Sequence, residues 1–572
     1  RLDLPFAARP LGPFHQHCNM RAVAQQLALA EQHGLFKRAK ASDVVSNLLC
    51  LMLNFSCCSQ NSLSQRPLPV ATSVDVFISH SWSCPAWMKI LAICHHLNFD
   101  FAIILSSLAG MMSVLVLVLY AGSLHTVSQM DWNLLSFCLL GCPMVAFLVA
   151  YLFGHLCSSQ TFWFDRLCVD QGHAMLRAQT LRAVPAFIAK SRQILILWDG
   201  TFFDRLWCIY ELAVQAKTST TDCIKIVPMW KPMWVLSFCL GLWTGVSLLV
   251  AFCDKDEPPL KTETRASMFV SFYSNYAWTP VSFIFLSPFF SWLCLQKLQQ
   301  HKSMLDSMLK FDIRNAKCML ETDRQTIVEQ VLSLFDEALE PPIKVSFASD
   351  ISEVVDEDAN TPLVLSESFQ EIRHITSYPN NEQILDQFNA YVRGPVCDSV
   401  VKSMGKEEYI SFSLCLVTIM PAIWSGAVYV LGCDGDTDCE KSAVDRGYRS
   451  VSQYMLGNAI MNLIVQPLIV SITCPLVLQT IHWVASFAVG SAPRMIIGSL
   501  INALVLFLWN SFCIAECGMC LVVFARYSHA WCVFFVAGLI VPLWTVWFLY
   551  FRRRTRDSHR YCCVLERSWE LT

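Results

Sequence analysis

Glu211 is the carboxylate whose setting points most directly to chemistry. It lies in the run Gln193–Leu212, QILILWDGTFFDRLWCIYEL. Gln193 to Leu197 is nearly continuous in apolar residues, the composition of a strand buried on both faces. Asp199-Gly200-Thr201 supplies a turn, and Leu206, Ile209, Tyr210 and Leu212 then repeat at helical spacing. Strand, loop and helix therefore put Glu211 one turn inside a helix, beyond the carboxyl end of a strand. Open α/β sheets take their ligands there. The structural alternative is an acid near a helix start, favoured by the helix dipole.

Four further pieces are expected to position this segment. Val74-Asp75-Val76-Phe77-Ile78-Ser79-His80-Ser81 reads as a first strand and its loop, and Phe162-Trp163-Phe164-Asp165 as a second strand. Leu181 to Ser191, with Val184, Phe187 and Ile188 on one face, reads as the helix before the Gln193 strand. Ile224-Lys225-Ile226-Val227-Pro228 reads as a fourth strand. These pieces, in this order and with Trp207-Cys208-Ile209-Tyr210-Glu211-Leu212 as a Trp-Cys-x-x-Glu-Leu helix, resemble the TIR domain. The resemblance covers roughly a quarter of the chain.

The resemblance implies an α/β, flavodoxin-like parallel sheet. In TIR enzymes that cleave NAD, a glutamate at the Glu211 position acts on the ribose next to the nicotinamide. It holds the hydroxyls and stabilises an oxocarbenium-like transition state, the logic of glycoside cleavage by a carboxylate. The matching pocket takes Ser79, His80, Ser81 and Trp82 after the first strand and the turn from Asp165 to Gly172 after the second, with Trp207 as a wall. NAD is then a substrate, and no permanently bound cofactor or metal is expected. Arg205 stands two positions before the Trp, where NAD-cleaving members often carry a small hydroxyl residue. Many TIR domains are adaptors, so the alternative is a non-enzymatic receptor or scaffold that forms homo-oligomers through TIR–TIR contacts. A channel or transporter regulated by the domain is a third reading.

The rest of the chain is dominated by apolar segments. Of 572 residues, 54% are hydrophobic and only 15% charged, against about 25% charged in soluble domains. The mean hydropathy is +0.43. The pattern is that of a multi-pass protein whose partner is the lipid bilayer. The net charge of −3 and the absence of a basic–aromatic cluster give no nucleic-acid site. The 27 cysteines are scattered through apolar segments as small hydrophobes rather than as a disulfide framework. No signal peptide is expected before the first domain.

Residues 1–70 read as a partly helical lead-in, with a helix over Met20–Arg38 and a short buried or interfacial one over Asp43–Phe55. The TIR-like domain occupies 71–98 and 158–230. A transmembrane hairpin over 99–157, with spans Phe101–Gly122 and Leu134–Leu156, is inserted between its first helix and second strand. A second hairpin covers 233–296, a cytosolic helical segment 297–408, a four-span region 409–551 and a basic tail 552–572. The last part of a standard TIR domain is expected to be missing or replaced. The total is about eight spans. Arg552-Arg553-Arg554-Thr555-Arg556 follows the last span, and the Ser123–Asn133 loop has no Lys or Arg. The positive-inside rule then puts both termini and the TIR-like domain in the cytosol.

Other residue patterns invite weaker readings. Asp165-Arg166 and Asp204-Arg205 pair an acid with a base near the cleft, as a loop-ordering ion network would. Cys513, Cys517 and Cys520 have a spacing used by some iron–sulfur sites, but fall at a span end in a membrane-border loop. Cys433 and Cys439 bracket an acidic outer loop suited to a disulfide or a weak cation site, and Cys562 and Cys563 suit palmitoylation. Asn458, Asn462 and Gln466 recur every four residues as a polar stripe, read as helix–helix hydrogen bonding or a permeation path. No intramembrane carboxylate is expected to accompany it.

Overall fold

The computed structural model describes residues 34–53, 68–121, 132–169, 174–252, 264–276, 278–318, 321–335, 381–431, 440–441, 443–444, 447–487 and 491–548. The chain divides into two compact units. The first gathers Arg1–Ala92, Leu156–Met229 and Met304–Val400; the second gathers Ile93–His155, Trp230–Ser303 and Val401–Thr572.

The first unit is built on a mixed five-stranded sheet: β1 (Ala39–Lys40), β2 (Val74–His80), β3 (Thr161–Trp163), β4 (Ser191–Trp198) and β5 (Ile224–Pro228), in the order β1-β3-β2-β4-β5. The strands from β2 to β5 pair in parallel, with Phe77 opposite Trp163 and Ile194, and Leu197 opposite Val227. β1 adds an antiparallel edge, with Ala39 opposite Phe162. Apart from β1, these are the four strands read from the sequence. Their apolar runs are buried as parallel strands covered on both faces require. From β2 the chain goes to β3 on one side, then returns to β4 on the other. The sheet thus has a topological switch point between the carboxyl ends of β2 and β4.

Helices α1 (Ala41–Met52), α2 (Ala86–Ala121), α3 (Ala174–Ala189) and α4 (Leu206–Thr218) follow β1, β2, β3 and β4. α1 starts where the Lys40 backbone N–H donates to the Asp43 carboxylate at 3.1 Å. The core is largely aromatic. Phe36 stacks on Phe187 and Phe77 on Trp163, each with ring centroids 4.6 Å apart, and Trp163 lies 5.8 Å from Phe187.

Several expectations are corrected. Leu35–Arg38 is not helical; Lys37 bridges Val70 instead, because this segment leads into the sheet edge. The remainder of the expected 20–38 helix lies mostly outside the described residues. Within the expected 297–408 segment, the described residues between Met304 and Val400 belong to the first unit rather than to a segment of their own. α5 (Glu321–Phe335) packs on α4, and α6 (Asn381–Tyr391) packs on α5, in the first unit. Lys317 N–H donates to Asp204 O at 2.6 Å, and Leu206 N–H donates to Lys317 O at 3.2 Å. The Phe203 and Phe311 rings lie 5.4 Å apart.

The second unit is helical. Five helices among the described residues are long and apolar enough to cross a membrane: Ala86–Tyr120, Asn133–Cys157, Val451–Ser486, Met495–Ala525 and His529–Val546. Against the expected eight or so, the described residues hold these five. The expected span 410–431 yields the shorter apolar stretch Phe412–Val428. The expected 233–253 and 276–295 spans fall on the helices Trp230–Phe252 and Trp278–Leu309, parts of which lie outside the described side chains. α2 runs unbroken from the soluble-looking Ala86 end through the first span, with no separate turn at Leu97. Lys297–Lys310 is likewise the end of the long helix Trp278–Leu309.

α7 (Val451–Ile460) continues through a π turn at Met461–Val465 into the helix Gln466–Phe487. The π turn lies where Gly426 approaches; a Cβ there would come within 2.5 Å of Asn462 O. Asn462 donates its side-chain N–H to Asn458 O at 3.0 Å within its own helix. α8 (Ser491–Ala525) and α9 (His529–Val546) complete the unit. Cys513, Cys517 and Cys520 sit inside α8, not in a border loop, and no group of three metal-ligating side chains forms among the described residues. The Cys433–Cys439 loop, Cys562 and Cys563, and the basic tail lie outside the described residues.

Candidate functional site

The site forms at the carboxyl ends of β2 and β4 and the start of α4. Asp199 ends the β4 segment with an Asx turn: its Oδ1 accepts from Thr201 N–H at 3.0 Å and from the Thr201 hydroxyl at 2.9 Å. A short 3₁₀ turn, Phe202–Asp204, then feeds α4, which buries Leu206, Cys208, Ile209 and Leu212. Glu211 follows Cys208 by three residues on the side of the helix that meets the end of β2, where the Cys208 thiol reaches His80 O at 3.5 Å. The residue keeps partial exposure, yet its carboxyl lies deep among protein atoms.

Burial pushes the Glu211 carboxyl up to about 8, with the negative charge of Asp165 adding to the shift; the Ser79 hydroxyl partly offsets it. Ser79 Oγ is buried and makes no hydrogen bond of strict geometry, so it faces Glu211 as a loose donor. Asp165 is raised to about 6 by burial, opposed by the Arg166 backbone N–H, the Lys89 and Arg166 charges and the Trp82 side chain. His80 is held well below its usual range by burial and by the cations of Lys89, Arg205 and Arg166. Its imidazole is therefore neutral, and the 4.0 Å approach of Nε2 to Asp165 Oδ1 is not an ion pair. The His80 ring packs on Trp82 and Phe164 at 5.7 and 5.1 Å.

Ser79, His80, Trp82, Asp165 and Glu211 thus converge. Ser81 turns the other way: its hydroxyl meets Ser83 Oγ at 2.6 Å and Thr201 Oγ1 at 3.0 Å. Ser83 also meets Thr201 at 2.8 Å and donates to Asp199 at 3.3 Å. This hydroxyl network ties the β2 loop to the β4 loop. Trp207 precedes Glu211 by one turn on the same side of α4 and sets its ring edge-on to Tyr210, 6.0 Å away. Residues 170–173 of the Asp165–Gly172 turn lie outside the described residues. Asp165 meets its neighbour Arg166 through the backbone N–H at 2.6 Å, and Asp204 uses its carbonyl on Lys317. Their main contacts are with the backbone, unlike the expected acid–base pairs.

Lys89, Ser83 and Thr201 belong to the site but were not legible as such. Lys89 is 5% exposed although it opens α2, which the sequence presents as a plain apolar helix.

Two carboxyls with separated titrations are a pattern of acid–base and electrostatic catalysis. At neutral pH Asp165 is mostly ionised and Glu211 mostly protonated. Between the ordinary value of 4.5 and about 8, the folded protein holds a Glu211 proton that the unfolded chain has lost. Stability conferred at this residue is therefore complete below 4.5 and falls as pH rises toward 8. Glu211→Gln removes that slope. Its unfolding free energy is expected to match wild type near pH 5 and to exceed it near pH 9 by about 2 kcal/mol after allowance for partial exposure, with a correspondingly higher melting temperature at the alkaline end. Parallel melting curves across that range would contradict a buried Glu211 carboxyl.

No family model, curated protein or solved structure matches the chain.

Proposed function

We propose that this is a membrane-anchored TIR-like signalling protein that cleaves NAD to nicotinamide and an ADP-ribose product, with Glu211 as the catalytic carboxylate. The observation that carries the reading is the gathering of Glu211, Asp165, Ser79 and His80 at the switch point of a parallel sheet. Cleavage breaks the bond from C1′ of the ribose to the nicotinamide nitrogen. Nicotinamide leaves neutral with the bonding pair, so no acid is needed for the leaving group. Water adds to C1′ and gives up its proton. What the reaction needs is negative charge beside the ribosyl cation, and the ionised Glu211 supplies it in a poorly solvated setting where such charge acts strongly. The pyridinium ring of bound NAD favours that ionised form. Asp165, ionised at neutral pH, is suited to receive the water proton.

The test is to incubate the purified protein with NAD and measure free nicotinamide. Release that depends on Glu211 supports the reading; no release from folded protein rejects it.

The Ser81–Ser83–Thr201–Asp199 network, which bridges the loops after β2 and β4, favours a second reading. Loops tied to each other in this way suit a non-enzymatic scaffold that signals by TIR–TIR self-association. No nicotinamide release, with self-association intact, selects it. Both readings have the first unit in the cytosol. A tag placed within 336–380 should resist protease added outside intact cells, and its cleavage would reverse the orientation.

A further inference from the structure

Glu516 lies on α8 and is 1% exposed, and neither carboxyl oxygen has a hydrogen-bond partner among the described residues. It meets α9 at Gly538. A Cβ there would lie 1.5 Å from Oε1, so the glycine is what leaves room for the carboxyl. Gly538 is near the middle of the 18-residue helix His529–Val546, about 12–14 Å from either end at the helical rise. Such a helix just covers the hydrocarbon core of a bilayer, roughly 30 Å. Glu516 therefore sits near mid-depth when α9 crosses.

Cys513 and Cys520 share its side of α8, three residues before and four after. Four helices pack most extensively on α8, and the helix Trp278–Leu309 also hydrogen-bonds it nearer its start, at Ser499 and Asn502. The helix Arg265–Tyr276 brings Arg265 and Tyr273, α7 brings Tyr454, Gln466–Phe487 brings Cys474 and His482, and α9 brings His529 and Cys532. Arg265 is occupied by the carbonyls of Arg526 and Tyr527, and His529 by the Tyr527 hydroxyl. None hydrogen-bonds the Glu516 carboxyl. An ionised carboxylate with no donor and no counter-charge is strongly disfavoured in such a place, whereas the neutral acid is tolerated.

We propose that Glu516 is a proton-binding site within the α8–α9 helix pair, protonated at neutral pH and able to release its proton at mid-depth.

The full chain in lipid vesicles provides the test. The infrared spectrum of wild type minus Glu516→Gln should contain a protonated-carboxyl C=O band at neutral pH. The band should shift on deuteration and fade as pH rises. A difference spectrum with only carboxylate bands at neutral pH overturns the proposal. Wild-type protein alone decides if Glu516→Gln does not fold. A lipophilic carbodiimide takes the carboxyl proton on its nitrogen while the carboxylate oxygen adds to its central carbon; the O-acylisourea then rearranges to a stable N-acylurea. Mass spectrometry should find this adduct on Glu516 at neutral pH, with yield falling as pH rises. Adducts on other carboxyls but none on Glu516, or a yield independent of pH, overturn it.

Discussion

Glu211→Gln is expected to lower the kcat for nicotinamide release by 10²–10³, about 3–4 kcal/mol of transition-state stabilisation, with KM changing much less. The substitution keeps the shape of the side chain and removes the charge. On the proposed function, ground-state contacts to NAD would come mainly from the loops after β2 and β3, whereas the positive sugar exists only in the transition state. Because the free carboxyl is raised to about 8 by burial, kcat/KM for wild type should climb with pH through that region and level off above it. A profile that instead falls across the same range would assign Glu211 the role of an acid. Equal nicotinamide release by wild type and variant would remove it from the chemistry.

Phe187→Ala is expected to destabilise the first unit by about 3–5 kcal/mol, the cost of deleting a fully buried ring. Phe187 is 0% exposed on α3 and joins Phe36 to Trp163, which in turn stacks on Phe77 of β2. A cavity there loosens α3 from the sheet and the β1 edge together. By contrast, Arg192→Ala removes a 3.3 Å ion pair with Asp75 from an arginine whose side chain is 78% exposed, and should cost under about 1 kcal/mol. Thermal or denaturant unfolding of both variants checks the ranking. Comparable losses would mean that the sheet is held by its surface pairs rather than by its aromatic core.

The strand set was legible because its signal is local. Four apolar runs bounded by turn residues form β2 to β5, and helical spacing after Asp204 marks α4 with Glu211 one turn inside it. Convergence of Ser79, His80 and Asp165 on Glu211 follows once those strands pair in parallel, since each residue sits at or just past a strand's carboxyl end. The β1 edge escaped notice because two residues carry no periodicity and pair only with a partner more than a hundred positions away.

What the sequence by itself determined is therefore the identity of the local elements, the carboxylate at the head of α4 and the excess of apolar helix. Tertiary structure decided which segments share a core and what each polar group meets. Residues 297–408 are polar enough to read as a separate segment, yet part of that segment joins the unit that holds Glu211, with backbone bonds between Lys317 and the Asp204–Leu206 turn. Cys513, Cys517 and Cys520 read as a membrane-border loop at a span end, and Glu516 lies among them. Only the continuation of α8 to Ala525, and a glycine on α9 opposite the carboxyl, place it inside the helix pair. The physical reason is common to both cases. Local pattern reports which face a residue prefers, whereas the solvation and charge of a carboxyl are set by whatever distant segment packs against it.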